Sequence, residues 1–435
     1  MEWYILAIII LGILLLLLAM GAHIAFALMA VGVGGLSILM GAKPAFSVLG
    51  HQAYSTSTNF ILLAVPLFIF MAEVILFSGV ANQAFDTASK WFSRLPGGLA
   101  VASIYACAGF GAVSGASLAA CATIGGAAIP EMINRGYDKR LATGSVAAGG
   151  ALAILIPPSI PMIIYAFVAE ESVGKLFLGG LIPGLLLATM MALYVIFYVV
   201  KQPSLAPAVR GVSWSDRLKA IPGVSGLVVL VVLVLGTIYL GVATPTEAAG
   251  VGATGALILA LIMKRLNWTN LRPALLATMR ITSFVLALMI GATTFGQLLS
   301  AFYIPQELAS LITGLPVSRW VILILIQILL VFLGMFLDPA SIIVLTAPIL
   351  VPIVSGLGFD GVWFGVLFTI NMEMAMITPP VGLNLYLIHG ISRQYGVSIG
   401  DVLRGALPFM LAELACLGLV IGVPELALFL PNLMR

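Results

Sequence analysis

The chain has 435 residues, 62% hydrophobic and only 8% charged, with mean hydropathy +1.20. So few charges cannot cover a soluble protein of this size, so the composition excludes a water-soluble globular class and predicts a polytopic α-helical membrane protein. The net charge of +3 decides nothing alone, because placement of charge matters more than its sum in a membrane protein. Cys107, Cys121 and Cys416 lie in apolar runs without metal or redox spacing and read as small buried hydrophobes. His23, His51 and His389 are isolated and read as structural. Glu2 stands where a signal peptide would be basic, so the first Leu-rich run reads as a retained helix.

A spanning helix needs about 20 mostly apolar residues. Residues 3–20 and 22–40 give the first two spans, 41–58 a polar loop, and 60–77 the third span. From 80 to 95, Val80, Ala84, Phe85, Ala88, Trp91, Phe92 and Leu95 recur at helical spacing with polar residues between them. That pattern predicts an amphipathic helix lying in the interface. Residues 97–134 carry no charge before Glu131 and are rich in Gly, Ala and Ser. As one helix this stretch would run roughly 57 Å, against a hydrocarbon core of about 30 Å. It reads instead as a hairpin that enters and leaves on one side, with its tip at Ser114-Gly115. The apolar segment 141–168 follows and is interrupted at Pro157-Pro158, where two rings remove two donors and clash with the preceding turn. A further span covers 176–200.

Residues 201–220 are the one long polar connection. Beyond it, 224–240 and 247–263 answer the first two spans, 281–301 the third, and 304–315 the interfacial helix. Residues 319–354 answer the hairpin, with the tip at 337–341. The segment 362–389 is interrupted at Pro379-Pro380, and 406–430 is the last span. The landmarks repeat at one offset. Pro130, Asp138 and Pro157 stand in the same spacing as Pro352, Asp360 and Pro379, 222 positions later, and Gly136 answers Gly358. We read two repeats, 1–200 and 221–435, joined by a cytoplasmic linker at 201–220. With Lys139 and Arg140 placed inside, 15 of the 19 Lys and Arg fall on the cytoplasmic side; only 43, 175, 319 and 435 fall outside. Both termini then lie on the outer face. Five crossings separate the two hairpins, so the second repeat is inverted and its hairpin enters from the opposite side. The predicted fold class is therefore an all-α polytopic membrane protein: an inverted-topology repeat with two re-entrant hairpins and two broken helices, of the kind found in secondary transporters.

Lipid cannot satisfy the backbone groups freed at a helix break, so breaks at bilayer depth face protein or a wet cavity. Half-helix N-termini suit an anion, and half-helix C-termini with unwound carbonyls suit a bare cation such as sodium. The polar side chains are concentrated in the second repeat. At the 222 offset Asp338 answers Ala116, Glu373 answers Ala151, Thr378 answers Ile156 and Asn384 answers Met162. An acid within the membrane is a functional candidate, and Glu373 is also open to a packing role. Asp338, Ser341 and Asn384, with Ser117 and Pro158 from the first repeat, are the candidate substrate residues. Ser114, Gly115, Pro157, Gly334, Thr378 and Pro379 are the candidate sodium residues. Ser114 and Ser117 are also open to plain helix packing. Gly250, Gly252 and Gly255 spell a dinucleotide fingerprint, but no strand precedes them and close helix packing explains them better. No zinc, phosphate-loop or nucleophile motif is present, and neither an enzyme nor a nucleic-acid partner is expected.

AGFGAVSGAS in the first hairpin and IPPS in the first break resemble the large membrane subunit of tripartite ATP-independent periplasmic (TRAP) transporters. GMFLDPASIIVLTAPILVPIV and ITPPVGLNLY in the second repeat do so too. The resemblance covers essentially the whole chain. It implies an elevator-type, sodium-coupled importer of an organic acid in the bacterial inner membrane, with Na+ as the coupling ion. It also implies a separate small four-helix membrane subunit and a soluble periplasmic binding protein as partners. Two other readings stay open: a stand-alone sodium/dicarboxylate symporter that needs no binding protein, and a channel or intramembrane enzyme.

Overall fold

The computed structural model describes residues 2–207 and 211–434; Arg210 and Arg435, both used in the charge count, lie outside them. The described residues are all-helical, with no strand among them. The chain first runs through α1 (Trp3–Ala19), α2 (Ile24–Met40), α3 (Ala42–Ser57), α4 (Ala64–Ser78) and α5 (Val80–Phe92). Next come α6 (Gly98–Ser114), α7 (Ser117–Asn134), α8 (Lys139–Ala151), α9 (Ile160–Ala169) and α10 (Val173–Lys201). After the linker stand α11 (Trp214–Ala220), α12 (Pro222–Tyr239), α13 (Pro245–Ile262), α14 (Trp268–Ala301) and α15 (Ile304–Thr313). The chain ends in α16 (Arg319–Gly334), α17 (Pro339–Gly356), α18 (Gly361–Ile377), α19 (Leu383–Ser392), α20 (Ile399–Gly422) and α21 (Glu425–Leu433). Among the described residues α10, α12, α13, α14, α17 and α20 are each long and apolar enough to cross a membrane.

Local chemistry explains most boundaries. Gly79, at φ +78°, ends α4 in a left-handed turn, and α5 departs from α4 at 71°. Asp138, Asp360 and Asp338 each cap the helix that follows by accepting backbone N–H groups. Helices α2 and α14 pack backbone to backbone: a Cβ on Gly291 would stand 2.5 Å from the Ala25 carbonyl oxygen. Helices α8 and α20 touch as closely, at Gly144 and Gly405. Small residues permit these approaches, the usual basis of helix association in lipid.

Three expectations are corrected. Residues 41–58 are not a loop: Gly41, at φ +89°, turns the chain and α3 follows, burying Ala45 and Thr56. The span expected at 281–301 starts 13 residues earlier. Asn267 caps α14 through the Asn270 N–H at 2.9 Å, and Arg272 and Arg280 lower hydropathy without breaking a helix. The span expected at 406–430 is two helices, because Pro424 ends α20 and α21 starts after it.

Candidate functional site

Two chain reversals each lie against an interrupted helix. The first reversal joins α6 to α7 through Gly115 and Ala116, and the second joins α16 to α17 through residues 335–338. The interruptions separate α8 from α9 and α18 from α19, and the peptide bonds Pro157-Pro158 and Pro379-Pro380 within them are cis. Gly115 adopts φ +58°, and a Cβ there would lie 2.5 Å from the Pro158 carbonyl oxygen. The first reversal is thus packed on the first interruption, which only glycine allows. A Cβ on Gly334 would overlap that of Ala375, so the second reversal sits against α18 one turn before Thr378.

At the buried end of the first reversal, a polar link joins the two halves of the chain. The Asn384 amide donates to Ser117 Oγ at 2.8 Å and to the Ala147 carbonyl at 3.0 Å, and all three residues are buried. Ser117 Oγ stands 3.0 Å from Asn384 Oδ1 as well. Position 117 begins α7 and position 384 lies in the first turn of α19, so two half-helix N-termini are held side by side. Neither helix has a side-chain cap. Their first backbone N–H groups are therefore free to face an anion.

Asp338 and Ser341 bond each other instead. The Ser341 hydroxyl and backbone N–H both donate to the Asp338 carboxylate, the latter at 3.2 Å. Asp338 is thus the N-cap of α17, and its negative charge occupies that helix's positive end. No hydrogen bond among the described residues joins this pair to Asn384. On the first reversal, the buried Ser114 hydroxyl accepts the Ala116 N–H at 3.5 Å. Among the described residues no donor reaches the carbonyls of Ala112, Val113 or Ser114 at the end of α6. The carbonyls of Met376 and Ile377 before the second interruption are likewise without donors, while Thr378 Oγ1 donates back to the Met374 carbonyl at 2.5 Å. Pro157 and Pro158 are buried and Pro379 is half-buried.

Sequence reasoning missed two features. A polar cleft of about 540 Å³ lies between α3 and α14 on one side and α9 and α17 on the other. Gln52, Asn59, Gln297 and Ser300 line one wall, Glu170 and Glu171 the other. Its wall at α3 has no counterpart in a sequence pattern that gives 41–58 as a polar loop. Glu413 on α20 is fully buried, and its signal was plain: an acid in the middle of an apolar run.

Residues 11–426 match the family model described as the DctM component of the tripartite ATP-independent periplasmic transporter. The chain belongs to that family. Among its relatives, the C4-dicarboxylate TRAP transporter large permease protein DctM of Pseudomonas aeruginosa is 37% identical, covering 92% of each chain. The protein of the same name from Rhodobacter capsulatus is 35% identical over 98% of this chain and 99% of its own. The sialic acid TRAP transporter large permease protein SiaM of Vibrio cholerae is 33% identical over 86% of this chain and 87% of its own. In fold, this large permease is similar to the YdaH transporter of Alcanivorax borkumensis, with TM-score 0.64 at 17% identity, covering 89% of this chain and 90% of that one. It is a multi-pass transport protein, and its relatives are permeases rather than enzymes.

Proposed function

We propose that this large permease imports an organic acid of the C4-dicarboxylate, keto-acid or sialic-acid kind, driven by sodium, across the bacterial inner membrane with both termini on the periplasmic side. The observation that carries the reading is the Ser117–Asn384 link, which holds two uncapped helix N-termini together. Their N–H groups and partial positive charge suit a carboxylate without any arginine in the site. Asp338 cannot serve the anion from the N-terminus of α17, because its own charge already occupies that end. It belongs on the cation side. The donor-free carbonyls around Ser114-Gly115 and before Thr378 offer sodium the hard oxygens it prefers. The contact of Gly334 with Ala375, which sets the second reversal beside the α18 end before Thr378, supports this reading.

In this reading 1–200 and 221–435 are inverted repeats around the linker at 201–220. The body that moves comprises α6–α9 and α16–α19, and α5 and α15 connect it to the remaining helices. The cleft between α3/α14 and α9/α17 is the passage to the site from the face that carries Lys43 and Lys175. Family membership and the relatives' names support a small four-helix membrane subunit and a periplasmic binding protein as partners. Reconstitution with and without those partners, under sodium or proton gradients, tests the proposal. Uptake without any binding protein would favour a stand-alone symporter, and uncoupled conductance would favour a channel.

A further inference from the structure

Two acids lie outside the site just described. Glu373 on α18 and Glu413 on α20 are fully buried, and none of their four carboxyl oxygens has a hydrogen-bond partner. The Trp363 indole donates to the Val420 carbonyl at 2.9 Å, which fixes the packing of the two helices. Glu373 is ten residues beyond Trp363 and Glu413 seven before Val420, so the two acids lie within about one helical turn of each other along an antiparallel, packed pair. Each is within electrostatic reach of the other, and Cys416, on the next turn of α20, is within reach of both.

Burying one unpaired carboxylate costs several kcal/mol, and two facing each other add repulsion. No ion pair reaches either one among the described residues. The elements around them bring little else. Arg140 at the start of α8 pairs with Asp401 at the start of α20, twelve residues before Glu413, or about 18 Å along the axis. Tyr165 of α9 donates to the Gly361 carbonyl at the far end of α18. Tyr194 of α10 packs on Phe409, and Arg319 stands at the outer end of α16. Helix α17 carries no titratable residue. Helix α19, packed on both, adds Tyr386, which donates to the Pro380 carbonyl, and His389, which pairs with neither acid among the described residues.

A metal cation is poorly served here. Two side chains supply four oxygens, the backbone carbonyls at both positions are spent inside helices, and hard cations take about six ligands. A proton needs only what is present: an O–H on one carboxyl donates to the other and satisfies atoms otherwise without a partner. We propose that Glu373 and Glu413 form a proton-binding site, a carboxyl pair that shares its protons within the α10–α18–α20 pack. Its two titrations belong to the pair rather than to either residue. Glu373 is five residues before Thr378, about 7.5 Å along the helix, so the pair backs onto the second interruption. A conformation that wets it would release protons, giving pH a route into the transport cycle apart from sodium.

The test is thermal stability of the purified chain against pH, with and without sodium, for wild type, Glu373→Gln, Glu413→Gln and the double variant. Glutamine copies the neutral carboxyl, so all three variants should fold with wild-type Tm at mildly acid pH. The wild-type Tm should fall as pH rises into the alkaline range. The double variant should lose that fall, and any sodium-induced gain in Tm should be unchanged. The infrared C=O stretch of a protonated carboxyl should weaken in each single variant and weaken further in the double. Identical pH dependence in wild type and double variant would overturn the proposal. So would loss of a sodium-induced gain, which would mark a metal site, or a double variant that does not fold, which would mean the charged form is needed.

Discussion

Asn384 joins the second interrupted helix to the first reversal and to α8. Asn384→Ala removes both hydrogen bonds and leaves Ser117 Oγ buried without a partner, while the Ala147 carbonyl keeps the Cys121 thiol at 3.8 Å; the cost is about 1–3 kcal/mol. Thermal unfolding should show that loss, and uptake should fall further than stability alone explains; Ser117→Ala should do less, since Asn384 keeps its bond to the Ala147 carbonyl. Asp338→Asn separates two roles. Asparagine caps a helix about as well as aspartate, so stability should hold. Uptake should be abolished or its sodium dependence shifted, and unchanged sodium dependence would leave Asp338 as a cap alone. Ala116→Ser, at the matched position in the first half, should have a smaller effect. Gly115→Ala should be worse than most glycine substitutions, because it adds left-handed strain of about 1–2 kcal/mol to a 2.5 Å clash. At this scale, polarity was legible in the sequence and partnership was not. Asn384 and Asp338 stood out as polar residues at chain breaks, but 267 positions separate Asn384 from Ser117, and no local pattern encodes such a pair.

At the scale of elements, the interruptions and reversals were readable because proline and glycine act locally. Gly115 needs its positive φ, and Pro157-Pro158 and Pro379-Pro380 end helices wherever they are placed. Helix α3 was not readable: nothing in its weakly apolar sequence distinguishes a surface helix from a loop until its partner α14 is in place. The linker shows the same limit. Its helix α11 is clamped to α5, with buried Arg217 donating to the Lys90 carbonyl at 3.2 Å and to Ser93 Oγ at 3.3 Å. The Thr87 hydroxyl reaches the Ala220 carbonyl at 2.9 Å. Arg217→Ala should free α11, seen as faster hydrogen exchange across 214–220 and 80–92 with the spanning helices unchanged. Between α9 and α10, burial first and then Asp360 hold the half-buried Glu171 carboxyl above the usual glutamate range, partly offset by Lys175. An acid raised on folding favours the native state below its ordinary value, and that advantage is lost as pH rises through the raised one. Glu171→Gln should therefore raise Tm at neutral pH and change nothing in acid, which a pH series of melts would read directly.

For the whole molecule, the family follows from the chain's own similarity, while the movement and ion coupling proposed above rest on the arrangement of its breaks. Movement has a direct check at the cleft. Gln297 on α14 and Val168 on α9 line it together, and the three native cysteines are buried. Bridging Gln297→Cys to Val168→Cys with a long bifunctional reagent should trap one state and stop uptake, and cleaving the bridge should restore it. Intact uptake in the bridged protein would exclude an elevator. The central claim is sodium-driven import of an organic acid through the Ser117–Asn384 site. The measurement that bears on it most directly is uptake into proteoliposomes holding this chain, its small membrane subunit and a loaded binding protein, over labelled C4-dicarboxylates, keto acids and sialic acid. An inward sodium gradient should drive accumulation of one of these acids, and Asn384→Ala should suppress it. Equal accumulation on a proton gradient with sodium absent would contradict the account.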